Sequence, residues 1–283
     1  MISVVITTYK NPERIPRAIE TVKNQQYSDL EILVVDGANS KKNKDIVQSF
    51  RKTDKRIHYV SVEPEAVDYP GAKGVQHARN VGCKLAKGKY IALLDDDDEW
   101  KGNKLSHQIL LFYLYPRCGL VTCSSRVYTG KHTYCVDRTK RKIEYKDLLK
   151  NFSLSSTSSY LLRKDVLEEV GWWDEDVRGM HEYDVALKIA KKGYSIYSVY
   201  EELMIRNRNY DEQLGSIYWK ISEQFEFWNR YGVDVFKKLG FVKWLNKGFL
   251  TVGLISVYCL GYVFHNRIWK IIYAFKLELE ETL

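Results

Sequence analysis

The chain has few cysteines, and their spacing follows no recognisable pattern. Its 283 residues include five, with no CxxC pair: Cys83, Cys118, Cys123, Cys135 and Cys259. Disulfide frameworks and thiolate metal sites normally use paired, regularly spaced cysteines. The odd, scattered set therefore favours a reducing cytoplasm over a disulfide-stabilised fold.

The chain also lacks a concentrated basic block, although its formal net charge is +8. Such an excess suits nucleic acid, an anionic membrane surface or a phosphate-bearing substrate as a partner. Because Lys and Arg are spread along the whole sequence, we expect no nucleic-acid partner. The N-terminal segment MISVVITTYK has no basic stretch before its apolar run, which predicts a strand rather than a signal peptide.

No apolar run reaches the roughly 20 residues that a membrane-spanning helix needs. The longest uncharged segment, residues 248–264, is shorter, and basic residues and tryptophans flank it on both sides. We predict that residues 236–279 form amphipathic helices that rest on an anionic membrane surface. A helical hairpin packed on the rest of the chain and a homo-oligomer interface are the alternatives.

The most informative stretch is residues 90–100, YIALLDDDDEW. Its apolar start predicts a buried strand, and four aspartates then follow in succession: Asp95, Asp96, Asp97 and Asp98. Carboxylates about 6 Å apart repel each other by roughly 3 kcal/mol at an effective dielectric constant near 20. Mg²⁺ or Mn²⁺ relieves that repulsion, so the run predicts a cation site. A solvated turn that caps the next helix is the alternative.

Strands and helices alternate through the first hundred residues. We predict strands over 2–7, 31–35, 57–62 and 90–94, with helices after Asn11 and Pro12, over 42–52 and over 72–86. This alternation indicates right-handed βαβ units, in which ligands bind beyond the carboxyl ends of the strands. The residues from Thr7 to Tyr9, Asp36 and the aspartate run should therefore meet at one edge of a sheet.

Three segments, in order, resemble the motifs of family 2 glycosyltransferases: SVVITTYKNPERIPRAIETV, LEILVVDGANS and GVQHARNVGCKLAKGKYIALLDDDDEW. The resemblance covers residues 2–100. It implies an α/β fold of the GT-A type, with a Rossmann-like, mostly parallel sheet flanked by helices over residues 1–210. A helical C-terminal region would occupy residues 211–283. It also implies an inverting, metal-dependent single displacement on a UDP-sugar donor.

The resemblance assigns the nucleotide side of the site by position. Thr7 and Tyr9 would line the nucleotide pocket, Asp36 would lie near the base, and Arg79 would approach the nucleotide. Many family members carry a second acid immediately after the position of Asp36, where this chain has Gly37.

The same positions assign the metal side. Asp95 and Asp96 would approach the ribose and the metal. Asp97, the second acid of the Asp-x-Asp motif, would bind Mn²⁺ or Mg²⁺. Further along the chain, Arg206 and Arg208 would reach the diphosphate, and a solvated loop is an equally good interpretation of that segment.

The segment GMHEYDVALKIAKKGYSI predicts a helix, and it resembles the family segment that places a Glu-Asp pair at a helix start. In the family the Asp is the general base, and here His181 and Glu182 occupy the two positions. We predict that Glu182 deprotonates the acceptor hydroxyl. Alternatively, Glu182 caps the helix while Asp184 or His181 acts as the base.

The resemblance and the basic, apolar tail imply sugar transfer to a lipid-linked or oligosaccharide acceptor. The setting would be bacterial surface (capsular or exo-) polysaccharide synthesis at the inner face of the cell membrane. A metal-dependent nucleotidyltransferase is one alternative, but TTYKNPE lacks the Gly-rich loop that would cradle phosphates. A degenerate, non-catalytic membrane-associated scaffold is the other, because the His-Glu pair departs from the family pattern.

Overall fold

The computed structural model describes residues 1–62, 72–129, 133–136, 141–150, 154–177, 180–207 and 216–239. The chain divides into two compact units, Met1–Ser216 and Ile217–Leu283. The first unit contains a large sheet with helices, and the second contains most of a long helix.

Ten strands of the described residues form a single sheet. They are β1 (Ile2–Thr8), β2 (Leu30–Asp36), β3 (Ile57–Ser61), β4 (Tyr90–Asp95), β5 (Asp98–Trp100), β6 (Cys118–Tyr128), β7 (Thr133–Val136), β8 (Lys142–Ile143), β9 (Leu161–Arg163) and β10 (Ser195–Asn207). The order is β3-β2-β1-β4-β9-β6-β10-β5, with β7 beside β6 and β8 beside β10. Strands β3, β2, β1 and β4 are mutually parallel, whereas β9 runs antiparallel to both of its neighbours. This mostly parallel sheet confirms the predicted α/β class.

The helices follow the predicted alternation. They are α1 (Ile15–Lys23), α2 (Lys41–Thr53), α3 (Ala72–Leu85), α4 (Lys104–Leu114), α5 (Tyr145–Lys150), α6 (Lys164–Glu169), α7 (His181–Lys191) and α8 (Ser216–Leu239). Helix α1 begins three residues beyond Pro12, and it is Pro16 that occupies an early helical position. There its missing N–H costs nothing and its fixed φ suits the helix.

Close packing of α3 against the sheet sets the position of this helix. A Cβ atom added to Gly82 would lie 2.5 Å from Val5 Cγ1 and 2.8 Å from Val35 Cγ2. Only a residue without a side chain allows this approach. Val4, Ile6 and Val34, which alternate with these valines along β1 and β2, belong instead to the core on the opposite face of the sheet, with residues of α1, α2 and α4. Helix α3 is thereby held on β1 and β2, with the segment containing Arg79 one turn before Gly82.

Two parts of the chain differ from the predicted elements. The polar-then-apolar segment 153–162, SLSSTSSYLL, predicts a strand from its sequence, but Thr157–Ser159 form a 3₁₀ helix and only Leu161–Arg163 belong to β9. Serine side chains bind locally there, as Ser159 Oγ donates to the Ser156 carbonyl at 2.7 Å, and such bonds compete with strand pairing. Strand β10 is missing from the prediction, because its mixed polar and apolar residues show no clear period of two.

The predicted membrane-associating segment, residues 236–279, lies outside the described residues except for the last turn of α8. Among the described residues, no helix combines the length and apolar character needed to cross a membrane.

Candidate active site

The carboxyl ends of three neighbouring strands carry polar residues of the site, with threonines on β1 and acids on β2 and β4. In the sheet register, Thr7 at the end of β1 lies beside Asp95 at the end of β4, and Thr8 lies beside Asp36 at the end of β2. The structure therefore brings Thr7, Asp36 and Asp95 to one edge. The aspartate run continues from Asp95 through a turn into β5.

Asp95 is held by residues that precede it in the sequence and by one that follows it. Two side chains donate hydrogen bonds to its Oδ1: Thr7 Oγ1 at 3.0 Å and Arg79 Nη2 at 2.8 Å. The backbone N–H of Asp95 donates to Ser158 Oγ at 3.0 Å. Burial alone would raise the pKa of Asp95, but the Arg79 charge and the hydrogen bonds from Arg79 and Thr7 lower it below its usual value. Asp95 is therefore a fixed, ionised carboxylate.

The next three aspartates resist ionisation. Burial raises the pKa of Asp96 to about 7, with repulsion from Asp97 and Asp95 adding to the effect. Burial also raises the pKa of Asp98 to about 7, again with repulsion from Asp97 and Asp95. The pKa of Asp97 is raised as well, by burial and by Asp95. A cation placed among these carboxylates would lower all three values.

Side chains from distant segments hold the turn that carries the cluster. Thr8 Oγ1 donates to Asp96 Oδ2 at 2.6 Å. The Asp97 carbonyl accepts hydrogen bonds from Arg17 Nη2 at 3.1 Å and from Asn207 Nδ2 at 3.2 Å. The backbone of the turn at Asp97 is thus fixed by α1 on one side and by β10 on the other.

The donor set fits an open divalent-cation site rather than a closed one. Among the described residues, no three His, Cys, Asp or Glu side chains converge as a complete set of ligands. Mg²⁺ commonly uses one or two carboxylates and completes its shell with water and substrate phosphates. The destabilised carboxylates of this turn match that arrangement.

Asp36 is saturated by donors from its own surroundings. Its carboxylate accepts from the backbone N–H groups of Ala38 (2.9 Å) and Ser40 (2.8 Å), from Asn43 Nδ2 (3.0 Å) and from Tyr59 OH (2.9 Å). Burial and the hydrogen bond to Asp36 raise the pKa of Tyr59. The immediate effect of Asp36 is to order the loop between β2 and α2.

Arg79 is buried on α3, and only 3% of its side chain is exposed. Besides Asp95, it donates to Gln76 Oε1 at 3.1 Å, and its guanidinium carbon lies 5.4 Å from the centre of the Trp173 ring. Tyr9 follows β1, with Lys10 Nζ 5.1 Å from the centre of its ring. In this structure Arg79 contacts the acid that ends β4, whereas Tyr9 lies at the start of the loop after β1.

The proposed base stands in the first turn of α7. His181 Nε2 lies 3.1 Å from Glu182 Oε2, and the two side chains are 26% and 22% exposed. Burial raises the pKa of Glu182, but His181, the Glu182 backbone N–H, Arg79 and Arg206 lower it more, so the net shift is downward. Asp184 is only 2% exposed and lies 3.8 Å from Lys188 Nζ. Of the two carboxylates, Glu182 is the one open to a substrate.

Several contacts of the site were not predicted from sequence. They come from Arg14, Arg17, Ser158 and Asn207. The spacing of Arg14 and Arg17, one helical turn apart, is the only signal that could have indicated a shared face. Arg206 pairs in register with Asp98 across β10 and β5, which places its charge near the acidic turn. Arg208 lies outside the described residues.

The sheet and its acidic edge define an α/β protein of the GT-A fold. Two solved structures share this fold. Staphylococcus aureus TarS 1–349 in complex with UDP-GlcNAc matches with a TM-score of 0.63 and 16% identity over 81% of this chain and 66% of that one. The mannosyltransferase PcManGT from Pyrobaculum calidifontis, in complex with GDP-Man and Mn²⁺, matches with a TM-score of 0.62 and 16% identity, covering 98% and 79%. At such identity, these likenesses establish the fold alone.

Sequence comparison identifies the family. The model of glycosyl transferase family 2 matches residues 3–171, so the chain belongs to this family and is a glycosyltransferase. A putative teichuronic acid biosynthesis glycosyltransferase, TuaG of Bacillus subtilis, is 27% identical over 80% of this chain and 86% of its own length. The Escherichia coli glucosyltransferase WfgD is 31% identical over 58% of this chain and 60% of its own.

Proposed function

We propose that the protein transfers a sugar from a UDP-sugar to a hydroxyl group of a lipid-linked or oligosaccharide acceptor, with inversion at the anomeric carbon. The observation that carries the proposal is the pairing of two acidic centres through shared arginines. The charge of Arg79 acts on both Asp95 and Glu182, and that of Arg206 acts on Asp97, Asp98 and Glu182. These shared charges support a single site that contains both the candidate cation-binding turn and the candidate base.

On the donor side, Asp97 would hold Mn²⁺ or Mg²⁺, with Asp95 and Asp96 close to the metal and the ribose. When bound, the cation would neutralise the charge that develops on the departing diphosphate. Thr7 and Tyr9 would line the nucleotide pocket, and Asp36 would order the loop near the nucleobase. Arg79 would act through Asp95, which it keeps ionised and in place.

On the acceptor side, Glu182 would take the proton from the acceptor hydroxyl. The oxygen then attacks the anomeric carbon, a new C–O bond forms on the face opposite the diphosphate, and the bond to the diphosphate breaks. UDP leaves with the electron pair of that bond. The lowered pKa of Glu182 keeps its carboxylate ionised at neutral pH, and it also makes Glu182 a weaker base than a carboxylate whose pKa lies near neutrality.

The names of the related proteins support the substrate classes. WfgD acts with UDP-Glc on α-D-GlcNAc-diphosphoundecaprenol, and WcaA of Escherichia coli is a putative colanic acid biosynthesis glycosyl transferase. We therefore favour a lipid-linked acceptor in surface polysaccharide synthesis. Since PcManGT binds GDP-Man, the identity of the nucleobase in the sugar donor requires a direct test.

A donor screen provides that test. Release of nucleoside diphosphate would be followed with several UDP-sugars and with GDP-Man, with Mn²⁺, Mg²⁺ or EDTA, and with or without a diphospholipid-linked sugar. We expect acceptor-dependent UDP release that EDTA abolishes. Release from GDP-Man alone would overturn the UDP assignment, and full activity in EDTA would overturn the metal assignment.

Single substitutions distinguish the role of the candidate base Glu182 from that of the candidate cation ligand Asp97. Glu182→Gln should lower turnover by about 10²- to 10⁴-fold, the usual contribution of a general base, without weakening UDP binding. Asp97→Asn should instead weaken Mn²⁺-dependent UDP binding. Glu168→Gln, at an exposed residue of α6, is the matched control. Near-normal turnover of Glu182→Gln would remove Glu182 from the mechanism.

Peripheral membrane association through residues 236–279 is a separate proposal that rests on the sequence. Liposome flotation of the full chain, compared with a chain truncated after residue 235, would test it. Equal flotation of both proteins on anionic liposomes would exclude this role for the segment.

A further inference from the structure

We propose that Asn80 is a positioning residue for the candidate base: its side-chain amide holds residues 171–177 against α3, and this segment, the bridging loop, fixes the place of α7. The inference rests on the proposed role of Glu182, which stands in the first turn of α7. It gives a function to a buried amide that lies outside both the acidic turn and the helix of the base.

The amide of Asn80 pairs with both backbone polar groups of one loop residue. Its Oδ1 accepts a hydrogen bond from the Trp173 N–H at 3.0 Å, and its Nδ2 donates to the Trp173 carbonyl at 2.9 Å. Nδ2 also donates to Glu175 Oε1 at 2.8 Å. Asn80 is only 4% exposed, so removal of its side chain would take these partners from buried polar groups, which is costly.

A second side chain of α3 contacts the same loop, since His77 Nδ1 lies 3.1 Å from Glu175 Oε2. Between these contacts, the guanidinium of Arg79 lies 5.4 Å from the centre of the Trp173 ring and donates to Asp95 Oδ1 at 2.8 Å. Helix α3 therefore contacts the bridging loop and the acid at the end of β4 at the same time.

The bridging loop also contacts α7. Lys188 Nζ donates to the Trp172 carbonyl at 3.0 Å, and the ring of Trp173 meets the ring of His181 edge-on at a centroid distance of 6.5 Å. Glu182 follows His181 in the first turn of this helix. The loop thus joins α3, which contacts the acidic edge of the sheet, to α7, which carries the candidate base.

Two bulky residues near the base have a left-handed backbone conformation. Trp172 in the loop has a φ of 62°, and Met180, immediately before α7, has a φ of 44°. Such values are rare for large side chains, and they persist only where the surroundings impose them. At Trp172 the surroundings include the hydrogen bond from Lys188 and, at the following residue, the pair of bonds to Asn80. Without Asn80 we expect the loop to relax and α7 to shift with it.

The experiment measures kcat, the KM values of donor and acceptor, and UDP affinity for variants of the full chain. Asn80→Ala removes all three hydrogen bonds. Asn80→Asp keeps the shape and an acceptor for the Trp173 N–H, but it removes the donor and places a second carboxylate beside Glu175. Asn80→Asp combined with Glu175→Gln supplies that carboxylate with an amide donor.

If the proposal is correct, Asn80→Ala and Asn80→Asp lower kcat by about 10- to 100-fold, since a misplacement of about 1 Å at a reacting group can cost that much. Donor KM and UDP affinity stay unchanged, because Asp95 and the acidic turn keep their own contacts. Adding Glu175→Gln to Asn80→Asp should raise kcat by about threefold or more, since substitutions at residues in contact are coupled.

Gln25 offers a matched control for a purely structural loss. It is another buried amide, with 7% exposure, and it also makes three hydrogen bonds. Its Nε2 donates to the carbonyls of Thr21 at 3.1 Å and Lys101 at 2.8 Å, and its Oε1 accepts from the Leu105 N–H at 3.1 Å. Gln25→Ala should lower the thermal stability about as much as Asn80→Ala does, yet leave kcat unchanged.

Three results would overturn the positioning role. They are a native kcat in Asn80→Asp, a loss of kcat in Gln25→Ala as large as that in Asn80→Ala, and a double variant no more active than Asn80→Asp alone. Because Asn80→Asp preserves the volume of the side chain, it keeps the test valid if Asn80→Ala fails to fold.

The proposed function fails separately. If Glu182→Gln keeps the kcat of the native protein, Glu182 is not the base, and the positioning role falls with that assignment. If Glu182→Gln loses turnover while the Asn80 variants do not, the assignment of the base stands and only the role of Asn80 is overturned.

Discussion

Asp98→Asn should stabilise the protein at pH 8 when no divalent cation is present. Asp98 is buried, with 5% exposure, and burial together with Asp97 and Asp95 raises its pKa to about 7. In the unfolded chain an aspartate has a pKa of about 3.9. The folded protein therefore holds a proton at Asp98 that the unfolded chain has already released.

The sign and the pH window follow from this difference. Because the folded state binds the proton more tightly, stability falls as pH rises from about 4, the unfolded pKa, to about 7. A difference of about three pKa units at about 1.4 kcal/mol each sets an upper limit near 4 kcal/mol. Asparagine has nearly the same shape and no charge to bury. We expect a gain of about 1–3 kcal/mol at pH 8 that shrinks towards zero near pH 4.

Urea unfolding of both proteins, followed by circular dichroism at several pH values in EDTA, would measure this gain. Asp45→Asn, at an exposed residue of α2, is the control and should change little. Added Mn²⁺ should reduce the advantage of Asp98→Asn, since a cation stabilises the ionised cluster in the native protein. Equal stabilities of Asp98→Asn and the native protein at pH 8, or a gain that does not change with pH, would refute the reasoning.

Three further substitutions probe the scaffold of the site. Arg79→Met leaves Asp95 without its cation and should cost about 2–3 kcal/mol at pH 7, less than a fully buried pair because the Asp95 side chain is 31% exposed. Since Arg79 lowers the pKa of Asp95, this cost should shrink as pH falls below about 4; thermal unfolding at pH 7 and pH 3 would show whether it does. Gly82→Ala should cost about 1–3 kcal/mol despite the better helix propensity of alanine, because its Cβ meets Val5; a urea midpoint at or above that of the native protein would contradict the packing argument. Tyr59→Phe removes a donor to the buried Asp36 carboxylate and should cost about 1–2 kcal/mol and weaken UDP binding, as calorimetry would record; unchanged stability would show that three donors suffice for Asp36.

The strands and helices of the first half were largely predictable, because each has a strong local signal. The β-branched run before Thr7 and the apolar run before Asp95 both predict buried strands, and the structure has β1 and β4 there. The serine-rich segment around Ser158 was not predictable in the same way. Its polar side chains bind backbone groups and the start of the acidic turn, so its 3₁₀ helix depends on neighbours rather than on periodicity.

The order of the motifs placed the acidic residues at strand ends, but it could not reveal their partners. Arg79 lies 16 residues before Asp95 in the chain, and Ser158 lies 63 residues after it. Such distances carry no pattern that a single sequence displays. The saturation of Asp36 by four donors is equally invisible, since Tyr59 comes from a neighbouring strand.

The sequence by itself determined that a buried strand must end in a row of aspartates, because an apolar run that suits the core stops where the charges begin. Only the tertiary structure decided how those identical side chains differ. Arg79 and Thr7 keep Asp95 ionised, whereas burial among like charges raises the pKa values of Asp96 and Asp98 to about 7. Charge and desolvation act through space, and the fold alone sets those distances.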